Sequence, residues 1–183
     1  MKKIILISFI VFFISSTSYS QNRLPECKPT DKVLYHNCYG KKIFGRNGEY
    51  YEAEFKNNLP VGEVKFSNGD KYIGDWNNDK NLYHGKGTYI FKDGSKQVGT
   101  FKNGLLEGDG KSFGSNGKII YDGKYKNGTP NGWGVLYLDE GGTYKSKFKN
   151  GRPEGVGLET TPDEQKIVRE WKDGKSVEGR KIP

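Results

Sequence analysis

The sequence predicts an all-β protein, an elongated single antiparallel meander of consecutive β-hairpins. Three observations lead to this prediction. A pattern of about 23 residues recurs along most of the chain. Each copy alternates aromatic residues with glycine, and turn-forming pairs such as Asn-Gly separate its two halves. The composition agrees, because 26 glycines accompany 12 tyrosines, 10 phenylalanines and 3 tryptophans.

The clearest copy of the pattern begins at Tyr121. An extended segment puts Tyr121, Gly123 and Tyr125 on one face, because the side chains of a strand alternate, whereas a helix would scatter them. The pair Asn127-Gly128 supplies the positive φ angles of a tight hairpin turn. A second strand opens at Gly132-x-Gly134. Each unit is therefore predicted to be one hairpin, and a second turn leads into the next unit.

The strand glycines have a steric explanation. Glycine inside a strand costs roughly 0.5–1 kcal/mol relative to alanine, but its missing side chain leaves room for a ring from the neighbouring strand. Burial of one ring removes about 150–250 Å² from water, which outweighs that cost. One hairpin cannot bury its rings alone, so the units are expected to stack in sequence.

The pattern starts at six places along the chain, at residues 51, 72, 97, 121, 144 and 167. Several copies depart from it. Ala53, Ser146 and Arg169 stand where the first glycine is expected, and Gln97 replaces the first tyrosine. The turn of the second copy carries extra residues at 80–84. These departures weaken the outer copies most, as expected where a repeat array meets solvent.

With these motifs the chain resembles the MORN repeats (membrane occupation and recognition nexus). The unit of that family has a similar length and reads Tyr-x-Gly-x-Trp/Phe, then Gly, then Gly-x-Gly. The resemblance covers the chain from about Gly40 to Gly174. It implies an array that serves as a scaffold, with roles that include membrane-associated interactions, and it names no partner.

The chain is expected to divide into four segments. Residues 1–20 read as a signal peptide, with Lys2 and Lys3, an apolar core at 4–14 and a cleavage sequence at 18–20; an uncleaved anchor is the alternative. Residues 21–50 form a cysteine-containing lead-in and cap with a partial repeat, 51–174 the array and 175–183 a polar tail that shields the last edge strand. Cleavage would place the mature chain in the periplasm or outside the cell, with no further segment able to span a membrane.

The two cysteines, Cys27 and Cys38, are expected to form a disulfide, because cysteines of exported chains usually pair. That bond would pin the first strands as an N-terminal cap. A zinc site that adds His36, with His84 as a further ligand, is the alternative, but the spacing matches no known zinc motif. The lead-in also resembles that of exported bacterial MORN proteins, which begin with a similar Cys…Asn-Cys-x-Gly segment.

A row of lysines follows the second aromatic residue of the units, and stacking would align them along one rim. These residues are Lys56, Lys102, Lys126, Lys149 and Lys172. The simplest interpretation is solubility and protection of sheet edges. The functional interpretation is attraction to an anionic surface, such as lipid head groups or a cell-envelope polymer. Single-stranded nucleic acid also suits basic residues beside aromatic ones, but export argues against that contact.

Catalysis has little support in the sequence. His36 and His84 are the only histidines, and no serine-hydrolase or zinc-protease motif occurs. No cofactor is expected. The first hypothesis is a non-enzymatic scaffold for a protein or an envelope component outside the cytoplasm, of unknown oligomeric state. The alternatives are binding of anionic phospholipid through the basic rim, and a secreted effector or hydrolase with an unrecognised site.

Overall fold

The structure is a computed structural model that describes residues 24–28, 35–44, 48–77, 79–172, 175–176 and 179–181. The signal-peptide prediction for residues 1–20 lies outside these ranges. Within them every regular element is a β-strand, and no helix is long and apolar enough to cross a membrane.

Fourteen strands follow one another along the described chain. They are β1 (Cys38–Ile43), β2 (Tyr50–Lys56), β3 (Leu59–Phe66), β4 (Lys71–Asn77), β5 (Leu82–Ile90), β6 (Lys96–Lys102), β7 (Leu105–Phe113), β8 (Ile119–Lys126), β9 (Thr129–Tyr137), β10 (Thr143–Lys149), β11 (Arg152–Thr160), β12 (Lys166–Lys172), β13 (Lys175–Ser176) and β14 (Arg180–Lys181). Strands β1 to β13 lie in chain order in one antiparallel sheet, and β14 also pairs with β12. The predicted fold class is confirmed.

The tight turns adopt the conformation that the sequence predicts. Both central residues have positive φ at Asn103-Gly104 (52° and 80°), Asn127-Gly128 (50° and 76°) and Asn150-Gly151 (50° and 80°), as in type I′ hairpins. The turn glycines also donate to the preceding unit: Gly128 N–H bonds the carbonyl of Leu106 at 2.9 Å, and Gly151 N–H that of Pro130 at 2.9 Å. These bonds tie each hairpin tip to its neighbour.

The rings lie on glycine as the steric explanation requires. Tyr72 lies against Gly87, and Tyr121 lies against Gly134, so a Cβ atom at either glycine would overlap the tyrosine ring. Tyr144 makes the same contact with the glycine at position 157. All three tyrosines are buried. The strand glycines therefore form the seats of the aromatic core.

Neighbouring units share their rings. The first aromatic residue of one unit contacts the second aromatic residue of the next. The ring centroids are 5.1 Å apart for Tyr51 and Trp76, 5.4 Å for Tyr72 and Phe101, 4.9 Å for Tyr121 and Phe148, and 5.7 Å for Tyr144 and Trp171. The series is interrupted at Gln97, where Leu106 occupies the space above Gly99 and Gly110 instead.

Both ends of the sheet are covered. At the first edge, Cys27 is bonded to Cys38, which confirms the predicted disulfide, and its side chain lies against Gly40 as the tyrosines lie against theirs. Cys27 N–H also donates to the carbonyl of Tyr39 at 2.8 Å. At the other end, β13 and β14 pair with different parts of β12. Fewer unpaired backbone groups remain to attract another strand.

Candidate functional site

The sheet has an aromatic inner face and a charged outer face. Along β10 the residues alternate strictly: Tyr144, Ser146 and Phe148 are buried, whereas the lysines between them are exposed. The same alternation places the five predicted rim lysines on the outer face, since each follows an inward-facing aromatic residue. Lys56, Lys102, Lys126, Lys149 and Lys172 are all exposed. The rim prediction concerns binding, and it stays a prediction.

The outer face of β10 carries three lysines in a row, Lys145, Lys147 and Lys149. Trp133 of β9 lies beside them with 53% of its surface exposed, and the Lys147 ammonium is 5.6 Å from its ring centroid. Val156 of β11, on the other side, is 59% exposed. We call these five residues the lysine face. Only Lys149 among them belongs to the predicted rim, although the Lys-x-Lys-x-Lys spacing of β10 is visible in the sequence.

Other outer-face lysines are already paired with carboxylates. Lys111 bonds Asp122 at 2.7 Å, and this contact raises the pKa of the lysine. Lys124 bonds Asp109 at the same distance. Within the described ranges, no carboxylate lies within 4.0 Å of the lysine-face ammonium groups, although Glu154 is the register neighbour of Lys147. The lysine face therefore has uncompensated positive charge beside exposed apolar surface.

The inner face carries a second feature, an aromatic pocket of about 270 Å³ between the first two units. Its walls contain six rings and a short polar rim. The rings are Phe44, Tyr51, Phe66, Trp76, Tyr83 and Tyr89, and the rim contains Glu49, Ser67, Asn68 and Asn81. This pocket was not predicted, because it depends on how the rings of the consecutive strands β2 to β5 pack across the inner face.

Two tyrosines of the pocket, Tyr51 and Tyr89, are held as neutral hydrogen-bond donors. Tyr51 donates to the side-chain oxygen of Asn81 at 2.8 Å, and Tyr89 donates to Asp70 at 2.6 Å. Burial raises the pKa of both hydroxyls, and the bond to Asp70 adds to the shift for Tyr89. Such groups supply neither a nucleophile nor a base near neutral pH.

The indole N–H of Trp76 is buried without a hydrogen-bond partner among the described residues. Trp171, which occupies the equivalent position in the last unit, has the same unpartnered N–H in that part of the chain. This feature therefore belongs to the repeat position and not to the pocket.

The two histidines have structural contacts. His36 accepts a hydrogen bond from the backbone N–H of Asn57 at 3.1 Å, and His84 accepts one from Asn103 at 3.5 Å. Both therefore orient the first residue of a tight turn. In the described part of the chain, no group of three histidine, cysteine or carboxylate side chains is arranged to hold a metal ion.

Comparison with protein families gives a match to the MORN repeat. The matched residues are 51–63, 72–96, 98–119, 121–143 and 144–166. The starts agree with the predicted ones, except that the third match begins one residue later, at 98 instead of 97. The truncated sixth copy at 167 is not among the matched stretches, although it forms β12. These stretches cover more than half of the sequence, and the chain belongs to the MORN repeat family.

Proposed function

We propose that this chain is a non-enzymatic repeat scaffold that acts outside the cytoplasm and binds an acidic protein or envelope component through its lysine face. The observation that carries the proposal is β10, which presents three lysines without a carboxylate within ion-pair distance in the described structure. Trp133 beside them adds exposed apolar area. Charge complementarity of this kind steers association and selects acidic partners.

Two further observations support this function. The repeat family is typically a non-catalytic scaffold for protein or membrane interactions. The Cys27–Cys38 disulfide is compatible with an oxidising compartment, in keeping with the signal-like features of residues 1–20. Export itself is part of the proposal.

Anionic phospholipid is a second candidate partner for the same face, favoured by Trp133. Tryptophan beside lysines is typical of residues at a membrane surface, where the indole lies at the level of the head groups. Each lysine near an anionic membrane contributes around 1 kcal/mol. Three lysines on one strand would therefore give measurable, salt-dependent binding.

Affinity capture from native envelope tests the proposal. The bait is the chain from residue 21, compared with a variant in which Lys145, Lys147 and Lys149 are replaced by glutamine. The matched control replaces Lys41, Lys65 and Lys71, three lysines that already form ion pairs. We expect the captured protein or polymer to disappear with the first variant and to remain with the control. Equal capture by both variants would contradict a role for the lysine face.

Sedimentation with vesicles tests whether anionic phospholipid is the partner. Vesicles of phosphatidylcholine with and without phosphatidylglycerol are the probes. Binding only to the anionic vesicles, lost at high salt, would support lipid as the partner. Binding that ignores lipid charge would argue against the lysine face. An enzymatic activity of the purified chain that His84→Ala abolishes would contradict the scaffold function itself.

A further inference from the structure

We propose that the aromatic pocket binds a neutral sugar ring, a pyranose unit of a glycan. The pocket lies on the inner face of the first two units, opposite the lysine face, so this inference is independent of the proposed acidic partner.

The rings of the pocket form a continuous platform. Phe66 stands 6.4 Å from Tyr51, 6.1 Å from Tyr83 and 5.9 Å from Tyr89, measured between ring centroids. Tyr83 and Tyr89 are 5.3 Å apart. Rings this close touch one another, so a ligand lies on them and not between them. The C–H face of a pyranose presents a flat apolar surface that fits such a platform.

Charge argues against an anionic ligand, and ring spacing argues against an organic cation. No lysine or arginine is among the described residues that line the pocket, so an anion such as phosphate has no counter-charge there. An aromatic cage for an organic cation needs several ring faces around one central point. The Phe44, Tyr51 and Phe66 centroids are only 5.9–6.4 Å apart, which leaves no space for a methylated ammonium group among them.

The rim offers hydrogen-bonding groups suited to hydroxyls. Asn81 uses its side-chain oxygen to accept from Tyr51, which leaves its amide N–H groups as donors. Asn68 keeps one amide N–H beyond the bond it gives to Asp70. Glu49 is exposed and has no ion pair in the described structure, so its carboxylate can accept. Donors and an acceptor around an aromatic floor match the alternating hydroxyls of a sugar.

The volume of the pocket and its opening to solvent suit a single sugar ring. Drug-sized ligands occupy pockets of about 300–1,000 Å³, and the volume of about 270 Å³ found here suits one ring. Phe44 is 45% exposed at the mouth. The pocket is therefore open to solvent without unfolding of the sheet.

Saturation-transfer NMR on the chain from residue 21 tests the inference. The probes are methyl β-D-glucopyranoside and the methyl β-glycoside of N-acetylglucosamine, with tetramethylammonium chloride as the cation probe. We expect at least one glycoside to bind with a dissociation constant on the order of 1–10 mM. Its ring protons should receive saturation, and the backbone amide signals of Ser67, Asn68 and Asn81 should shift in the protein spectrum.

Two exposed apolar positions, Phe44 and Ile120, provide the matched variants. Phe44→Ser removes part of the platform and should weaken binding about fivefold. Ile120→Ser, in β8 and outside the pocket lining, should leave binding unchanged. The inference is overturned if neither glycoside binds, if the shifted amides lie elsewhere, if both variants behave alike, or if tetramethylammonium binds in place of the sugar. The amide shifts of the unmodified chain decide the matter if Phe44→Ser does not fold.

Discussion

Two tyrosines at equivalent positions, Tyr51 in the first unit and Tyr121 in the fourth, occupy different places in the molecule. Tyr121 lies against Gly134 and donates to the carbonyl of Lys124 in its own strand at 3.3 Å. Tyr51 instead reaches into the next unit and donates to Asn81 at 2.8 Å. Both rings are almost completely buried. The repeat position therefore determines that the ring is buried, but it does not determine which group accepts the hydrogen bond of its hydroxyl.

The residues beneath the rings explain the difference. In the first unit, Ala53 and Val64 occupy the positions of the two seat glycines, and both are buried. A Cβ atom at either glycine position would overlap a ring placed as Tyr121 is, and the Tyr51 hydroxyl reaches the second unit instead. The Tyr51 ring is a wall of the aromatic pocket. The unit that lacks both glycines is thus the one whose tyrosine lines a pocket.

The largest expected effect comes from adding one methyl group to a seat glycine. Gly134→Ala should lower the free energy of unfolding by about 3 kcal/mol, because the new Cβ overlaps the Tyr121 ring. Gly108→Ala is the control, since only its φ of 77° opposes alanine and nothing lies within 4 Å of the added atom; we expect about 1 kcal/mol there. Urea unfolding measures both. Equal losses would show that the seats do not depend on ring contact.

The second largest effect is expected from removal of the disulfide, which should destabilise the first end of the sheet and leave the other end unchanged. Cys27→Ala with Cys38→Ala should cost about 2–3 kcal/mol on the chain-entropy model. Because the bond lies at the first edge, backbone amide exchange should rise in β1 to β3 and stay unchanged in β10 to β12. Reduction of the unmodified chain is the companion experiment. A uniform rise across the sheet would contradict the view that the end units are capped separately.

At high pH the unmodified chain should lose stability that the Tyr121→Phe variant keeps. Burial raises the pKa of Tyr121 to about 12, from 10.0. The unfolded chain therefore loses this proton first, and the stability that depends on it, complete below pH 10, falls as the pH rises to about 12. Tyr121→Phe lacks this loss, so the unmodified chain should decline by about 2 kcal/mol relative to the variant. Parallel stability curves from urea titrations at each pH would contradict the raised pKa.

The smallest expected effect is the stability lost when the hydroxyl of Tyr51 or of Tyr121 is removed at neutral pH. Tyr51→Phe removes a 2.8 Å hydrogen bond to Asn81 and should cost about 1 kcal/mol. Tyr121→Phe removes a longer bond of 3.3 Å and should cost less. Thermal unfolding of the two variants side by side gives the order. The reverse order would contradict the view that the bond between units stabilises the fold more than the bond within one strand.

Much of the fold could be predicted because its causes lie within a few residues of one another. Alternation along Tyr121–Tyr125 sets the face of each ring, and Asn-Gly pairs set the hairpin turns. The role of the glycines followed from the volume of a ring. The pairing of Cys27 with Cys38 was also predictable, because few alternatives exist for two cysteines in a chain of this kind.

The candidate sites were less predictable because they join distant residues. The Lys-x-Lys-x-Lys spacing of β10 is visible in the sequence, but the exposure of Trp133 beside it depends on pairing with β9. Residue 97 is glutamine, and the space that a tyrosine ring fills in other units is filled here by Leu106. That outcome likewise depends on packing. The pocket depends on a contact between Tyr51 and Asn81, thirty residues apart.

The sequence by itself determined the hairpin repeat, the strand order and the burial of one ring series, because these follow from local alternation and turn geometry. Only the tertiary structure decided which ring fills which seat, where a missing glycine opens a pocket, and which lysines lack a carboxylate. Those outcomes depend on volumes and charges that meet across neighbouring units, and a side chain has no fixed neighbour there until the sheet has formed.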